Sequence, residues 1–204
     1  MADFTQEAAL LDRGFTRIAG IDEVGRGPWA GPVVVAAVIL DPQNIPDGLN
    51  DSKALSPKKR EALAPLIHQM AEVSIVEISV EDIDRINILA ASLLGMERAA
   101  ANLESDFALI DGNKLPAGLH CPGETIIKGD AKSASIAAAS IVAKTYRDAL
   151  MADLAQQFPG YGWESNAGYG TKAHKIGLQN LGVTPHHRRS FKPIHNMLWT
   201  DSDQ

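Results

Sequence analysis

The chain has 204 residues, 45% hydrophobic and 22% charged, with a formal net charge of −6. That suits one globular domain, or one with a small appendage, and excludes a disordered or fibrous chain. A single cysteine, Cys121, excludes an internal disulfide and a Cys-rich metal site, and fits a reducing, cytoplasmic compartment.

The opening MADFTQEAALLDRG carries acids where a secretory signal has bases and lacks a long apolar core, so no leader is expected. RIAGIDEV, residues 17–24, reads as a strand that stops at Gly25. VVVAAVIL, 33–40, is the longest strongly apolar run. It is far too short to span a bilayer, and its β-branched continuity predicts a strand covered on both faces. DPQNIPDGLNDS is a loop rich in turn residues. Ser56 as N-cap and Pro57 at the first helical position predict a helix, which Pro65 is expected to kink or divide.

VSIVEISV, 73–80, is a further strand. Ser79 and Asp82 form a capping pattern, and the helix after them places Ile83, Ile86, Ala90, Leu93 and Leu94 on one side. DFALID, 106–111, is a short strand ending on a carboxylate, and TII, 125–127, is another candidate. Residues 133–158 form a long helix whose Ala/Ser-rich first half allows close approach to a sheet. The glycine-rich remainder predicts a lobe of short helices and loops, giving a core over 1–158 and a C-terminal lobe over 159–204 that packs on it. This order predicts an α/β fold, with a mixed sheet flanked by helices on both sides. The early strands form an antiparallel meander and the later ones are parallel neighbours joined through helices.

The charge is unevenly spread. Residues 165–200 hold five Lys or Arg and four of the six histidines, with no acid. Such a segment permits a local anion-binding surface despite the overall sign, or is an ordinary solvated tail.

Asp22, Glu23 and Asp111 follow apolar strand-like runs, and Asp130 precedes the long helix. In an open α/β sheet ligands gather at the C-terminal ends of parallel strands, so Asp22 and Asp111 meet there if their strands are parallel neighbours. Clustered carboxylates repel unless a cation joins them, and two divalent ions can activate a water and stabilise the leaving oxygen of a phosphodiester. Each acid also has a plain structural use: Asp111-Gly112-Asn113 is a plausible turn and Asp130 a plausible N-cap. Adjacent strand residues face opposite ways, so Asp22 and Glu23 share a site only if the strand bends or ends there, which Gly25 permits.

The stretches GIDEVGRGPWAGPVVVAAVIL, LNDSKALSPKKRE, ALIDGNK, IIKGDAKSASIAAASIVAKTYRD, NAGYGTKAH and HHRRSFKPI run through most of residues 19–194. Together they resemble ribonuclease HII, the bacterial type 2 ribonuclease H. About twenty residues precede the first motif, so the extra N-terminal domain of ribonuclease HIII is not expected.

The resemblance implies a ribonuclease H-like fold with a mixed five-stranded sheet and a C-terminal helical lobe. It implies hydrolysis of the RNA strand of RNA/DNA hybrids and incision 5′ of single ribonucleotides in duplex DNA, leaving 3′-hydroxyl and 5′-phosphate ends. The family's acids fall on Asp22, Glu23, Asp111 and Asp130, binding Mg2+ or Mn2+. Asp148 is a rival for the fourth place, and is placed here on the helix surface beside a base. Gly25, Arg26 and Gly27 match the element that contacts the ribose 2′-hydroxyl, and Tyr169 the tyrosine that packs on the sugar.

Residue chemistry agrees. The 2′-hydroxyl distinguishes RNA from DNA, glycines allow close backbone approach, and Arg26 offers a permanently charged fork. Lys53, Ser190 and neighbouring cations are expected to hold phosphates. His174, His186 and His187 are left out of the chemistry, and Trp29 is expected to pack rather than stack on bases. No membrane is expected, and a monomer is the default. The alternatives are a catalytically silent nucleic-acid-binding module, or a nuclease or integrase of the same fold with another substrate.

Overall fold

The computed structural model describes residues 2–200. Strand β1 (Ile18–Val24) pairs antiparallel with β2 (Val33–Leu40), from Gly20 opposite Val38 to Val24 opposite Val34. It pairs in parallel with β4 (Phe107–Asp111), which pairs in parallel with β5 (Gly123–Ile126). With β3 (Ala71–Ile78) beside β2, the order is β3-β2-β1-β4-β5, the mixed five-stranded sheet expected.

Every residue of β2 is buried, because helices cover both faces of the sheet. Val34, Ala36 and Val38 pack with Ile67 of α2 (Pro57–Met70) and with Ala138 and Ile141 of α5 (Ala134–Gln157). Val35 and Ala37 join Ala19 and Ile21 against Met96, Ala99 and Ala100 of α4 (Ile88–Asn102). The alternation of each strand thus sorts its side chains between an α5 face and an α4 face. Gly20 makes the first close: a Cβ there would lie 2.2 Å from the carbonyl carbon of Ser135.

Helix α2 is not divided at Pro65, one of the two outcomes expected there. Two features depart from the sequence reading. The single helix expected after Ser79 is two, α3 (Val80–Ile86) and α4, parted at Asn87 with φ of 69°. Apolar spacing continues across the break. The break itself is made by the Asn87 side chain, whose Oδ1 accepts from the Leu89 and Ala90 amides (3.0 and 3.1 Å) and caps the second helix. An unforeseen helix, α1 (Thr5–Leu11), precedes β1 and turns Glu7 and Leu10 inward.

The chain divides into two compact units. The first runs from the N-terminal residues to Val24 and adds Val34–Val76 and Ser92–Thr145; it holds the sheet core. The second gathers Gly25–Val33, Glu77–Ala91 and the chain from Tyr146 onward. Its C-terminal segment begins inside α5. The cause is that Met151, Leu150 and Leu154 pack with Tyr161, Trp163, Leu178 and Ile194, from α6 (Trp163–Asn166), α7 (Lys172–Leu181), α8 (Lys192–Thr200) and the loop before α6. Among the described residues no helix is long and apolar enough to cross a membrane.

Candidate active site

Parallel pairing brings the ends of β1 and β4 level. Their last registered pair is Ile21 opposite Ile110, and the next residues are Asp22 and Asp111. On β1, Gly20 meets Ser135 and Val24 joins the α5 cluster; on β4, Leu109 packs on Ile136. By strand alternation Asp22 and Asp111 share that α5 face. Asp130 lies in a short 3-10 turn, Gly129–Ala131, leading into α5. Asp111 Oδ1 accepts from the Gly129 amide (2.7 Å), tying the end of β4 to that turn. Asp130 is not the helix cap; Ser133 Oγ takes that place by accepting from the Ile136 amide (3.2 Å).

The strand does not bend at the adjacent acids. The ladder stays regular through Glu23 opposite Val35 and Val24 opposite Val34, so Glu23 starts from the α4 face. Its charge still reaches Asp22. Burial first, then the charges of Glu23, Asp111 and Asp130, hold the Asp22 carboxyl well above the ordinary carboxylate range, against a hydrogen bond from the Glu23 amide (2.8 Å). Asp130 is pushed up to about 6 by burial, by the charge of Asp111, and by the charge and hydrogen bond of Asp51, with Lys53 opposing. Asp51 is an acid the sequence reading passed over, although it stands in LNDSK two residues before Lys53.

Concentrated carboxylate oxygens are the donor set of a hard divalent cation, and a cation there would favour the charged forms of the raised Asp22 and Asp130. Among the described residues no three His, Cys, Asp or Glu side chains are arranged to hold an ion as they stand. Asp22 and Asp111 instead turn an oxygen to backbone amides.

The second unit holds the Gly-Arg-Gly loop. Gly25 has a φ of 95°, and a Cβ there would lie 2.2 Å from Arg147 Nε, so this position requires glycine. Two buried arginines grip the loop from within. Arg147 donates to the carbonyls of Pro32 (3.0 Å), Ala30 (3.2 Å) and Ala167 (3.0 Å). Arg188 donates to those of Gly31 (2.9 Å), Arg26 (3.0 Å) and Gly25. Burial lowers both guanidinium pKa values, to about 10 for Arg147 and about 9 for Arg188, where the charge of Arg147 adds to burial. Both stay charged at neutral pH. Arg188, counted from sequence with the phosphate-facing cations, is a fully buried brace, because five loop carbonyls need donors.

Arg26 and Gly27 are exposed, as is Tyr169. A Cβ on Gly27 would lie 3.3 Å from Tyr169 Cε1, so these residues are neighbours. The Tyr169 carbonyl is held by His174 Nδ1 (3.0 Å). His174 Nε2 accepts from Trp163 Nε1 (3.1 Å) and lies 3.0 Å from His187 Nε2, while His187 Nδ1 accepts from the Thr184 amide (3.0 Å). One proton arrangement satisfies this chain: Nδ1–H on His174 and Nε2–H on His187. Burial lowers the pKa of both, that of His187 to about 3, which keeps them neutral structural groups. Trp29 packs against the His174 ring. Asp148 lies on α5, where Arg147 feels its charge. Lys53 is exposed. Ser190 departs from expectation: its amide (2.9 Å) and hydroxyl donate to Asp84, so a phosphate contact would require that pair to open.

The profile of the family described as Ribonuclease HII matches residues 19–196. This chain belongs to the ribonuclease HII family. Ribonuclease HII of Ruegeria pomeroyi is 66% identical to it over 201 residues, covering 98% of this chain and 86% of the relative. The crystal structure of the ribonuclease H2 from Pyrococcus horikoshii superposes with a TM-score of 0.74 at 25% identity, covering 93% of this chain and all of that one. Bst-RNase HIII, solved in complex with Mn2+, shares the fold, with a TM-score of 0.69 at 20% identity over 92% of this chain and 71% of that one. The fold is thus ribonuclease H-like, and the chain is a ribonuclease H-type nuclease, a phosphodiester hydrolase acting on RNA/DNA hybrids.

Proposed function

We propose that this ribonuclease HII cleaves the RNA strand of hybrids and also incises 5′ of single ribonucleotides embedded in duplex DNA, leaving 3′-hydroxyl and 5′-phosphate ends. The observation that carries the reading is the pairing of Asp22 and Asp111 at the level ends of parallel strands, where burial and like charges raise Asp22. Asp22, Glu23, Asp111 and Asp130 would hold two divalent cations, Mg2+ or Mn2+; Bst-RNase HIII, of the same fold, has been solved with Mn2+. When bound, such cations neutralise the carboxylates, activate water and stabilise the leaving oxygen.

The remaining work falls to the chain's own groups. Gly25, Arg26 and Gly27, braced by Arg147 and Arg188, present backbone and a guanidinium to the ribose 2′-hydroxyl and its phosphates, and Tyr169 packs on the sugar. Lys53 holds a phosphate outside the chemical centre. The enzyme acts in the cytoplasm as a monomer.

The test is a duplex DNA with one ribonucleotide, incubated with Mg2+ and mapped at nucleotide resolution. A folded sample that leaves the DNA–ribonucleotide junction intact would sink the proposal. Asp22→Asn and Asp111→Asn should abolish cleavage while duplex binding survives. Tyr169→Ala should impair junction cutting far more than duplex binding.

A further inference from the structure

Asp3 and Glu7 bind residues 132–135, directly after the turn that carries Asp130. The Asp3 amide donates to the Lys132 carbonyl (3.1 Å), the Ala134 amide donates to the Asp3 carbonyl (2.8 Å), and Asp3 bridges Ser133 in parallel. Glu7, on α1, is 1% exposed. Its Oε1 accepts from the Ser133 hydroxyl, the Ser135 hydroxyl and the Ser135 amide (2.9 Å). Its Oε2 is buried with no hydrogen-bond partner among the described residues.

A buried carboxylate with an unsatisfied oxygen is costly. Three donors and the positive end of the 24-residue helix α5 offset that cost on the Oε1 side. The two serines so gripped are placed to govern the acids. The Lys132 and Ser133 amides both donate to the Gly129 carbonyl (2.9 and 2.8 Å), closing the turn that displays Asp130. The Gly129 amide in turn donates to Asp111. From the sheet side, Gly20, two residues before Asp22, lies on the Ser135 backbone at a distance no side chain could share. Residues 133–135 are therefore the joint at which Asp22, Asp111 and Asp130 are referred to one another, and Glu7 clamps that joint.

We propose that Glu7 is a positioning residue for the cation site. It touches neither cation nor substrate, but by holding Ser133 and Ser135 it fixes Asp130 relative to Asp22 and Asp111. The inference rests on the reading of these acids as cation ligands.

The experiment compares wild type, Glu7→Gln, Ser135→Ala and Asp130→Asn in the full chain. Mn2+ binding is measured by titration calorimetry, the Mg2+ midpoint by cleavage, and folding by thermal denaturation. Loss of groups that orient ligands typically weakens metal affinity about 10–100-fold. Acting one step further out, Glu7→Gln and Ser135→Ala should weaken Mn2+ binding about 3–10-fold and raise the Mg2+ midpoint equally, with the rate at saturating Mg2+ retained. If both variants bind Mn2+ as wild type does, whether or not they melt earlier, Glu7 is only a fold-stabilising group and the proposal fails. Should Glu7→Gln not fold, the Ser135→Ala titration decides alone. If Asp130→Asn also leaves Mn2+ binding unchanged, the ligand reading itself has failed and this proposal falls with it.

Discussion

Replacing Asp130 by Asn should stabilise the cation-free protein and blunt its response to Mg2+. Asp130 is 8% exposed and is pushed from the ordinary 3.8 to about 6 by burial, Asp111 and Asp51. That distance corresponds to about 3 kcal/mol of disfavoured charge. Asp111 and Asp51 are only partly buried, so solvent screens the interaction and about 1–2 kcal/mol remains. For a chain of this size each kcal/mol moves the melting point by about 2–4 °C, so the variant should melt about 2–8 °C higher in EDTA at neutral pH. Asparagine also gives Asp51 a permanent N–H donor where Asp130 must first take up a proton.

The sign follows from linkage. As pH rises, the unfolded chain loses this proton near 3.8 and the folded chain only near 6. The penalty is absent below the first value, grows between the two, and is complete above the second. The advantage of the Asp130→Asn variant should therefore vanish by about pH 4 and be full above about pH 7. Saturating Mg2+ should stabilise wild type by mass action and the variant less, reversing the order of the melting points. Thermal denaturation across pH, with and without Mg2+, reads all three effects. A variant that melts below wild type in EDTA at neutral pH, or whose gain is the same at acid pH, refutes the reasoning.

Gly20→Ala forces a methyl into the Ser135 backbone, which cannot swing aside as a side chain can. We expect a loss of about 3 kcal/mol or more in urea denaturation, together with weakened Mn2+ binding. Arg188→Ala strips two buried carbonyls and one part-buried one of their donors and should cost about 3–5 kcal/mol in the same assay. Arg188→Lys should recover less than half of that, because one ammonium cannot span a planar three-carbonyl set. His187→Ala leaves His174 without one of its two Nε2 neighbours; junction cutting should fall, and in a Tyr169→Ala background the same change should have little further effect if it acts through Tyr169.

What could be read from sequence was what shows within a few residues. β2 is legible because an eight-residue apolar, largely β-branched run buried on both faces looks like little else. Asp22 and Asp111 are legible as acids that follow apolar strand runs, and they become neighbours because β1 and β4 are parallel. Asp130 was not decided by its own surroundings, since an acid before a helix reads equally as a cap; the structure gives that cap to Ser133. The split at Asn87 was hidden because apolar spacing carried on through it. Hardest to see were the buried charges. Arg188 reaches Gly25 across 163 residues and Glu7 reaches Ser135 across 128, and no local pattern marks a charged side chain as internal. Reading the C-terminal basic segment by sign alone therefore overcounted its surface: Arg188 belongs to the interior, while Lys172, Lys175, Arg189 and Lys192 remain exposed.

The stretch from Asp22 to Gly27 joins two opposite electrostatic conditions with only Val24 between them. At the acids, burial and neighbouring carboxylates raise Asp22 on the strand and Asp130 in its turn. In the loop, five carbonyls are supplied by two buried guanidiniums, themselves a concentration of positive charge. The loop is therefore set by the fold before any ligand arrives, and the ordering cost that a mobile recognition loop incurs on binding is already met. The acids are likewise held by the fold, Asp111 through the Gly129 amide and Asp22 through its own strand, but burial and like charge leave Asp22 and Asp130 raised. Recognition of the sugar should accordingly persist when cations are withheld, whereas cleavage should not. Duplex containing one ribonucleotide should bind more tightly than all-DNA duplex in EDTA, and equal affinities would show that the braced loop is not what reads the ribose.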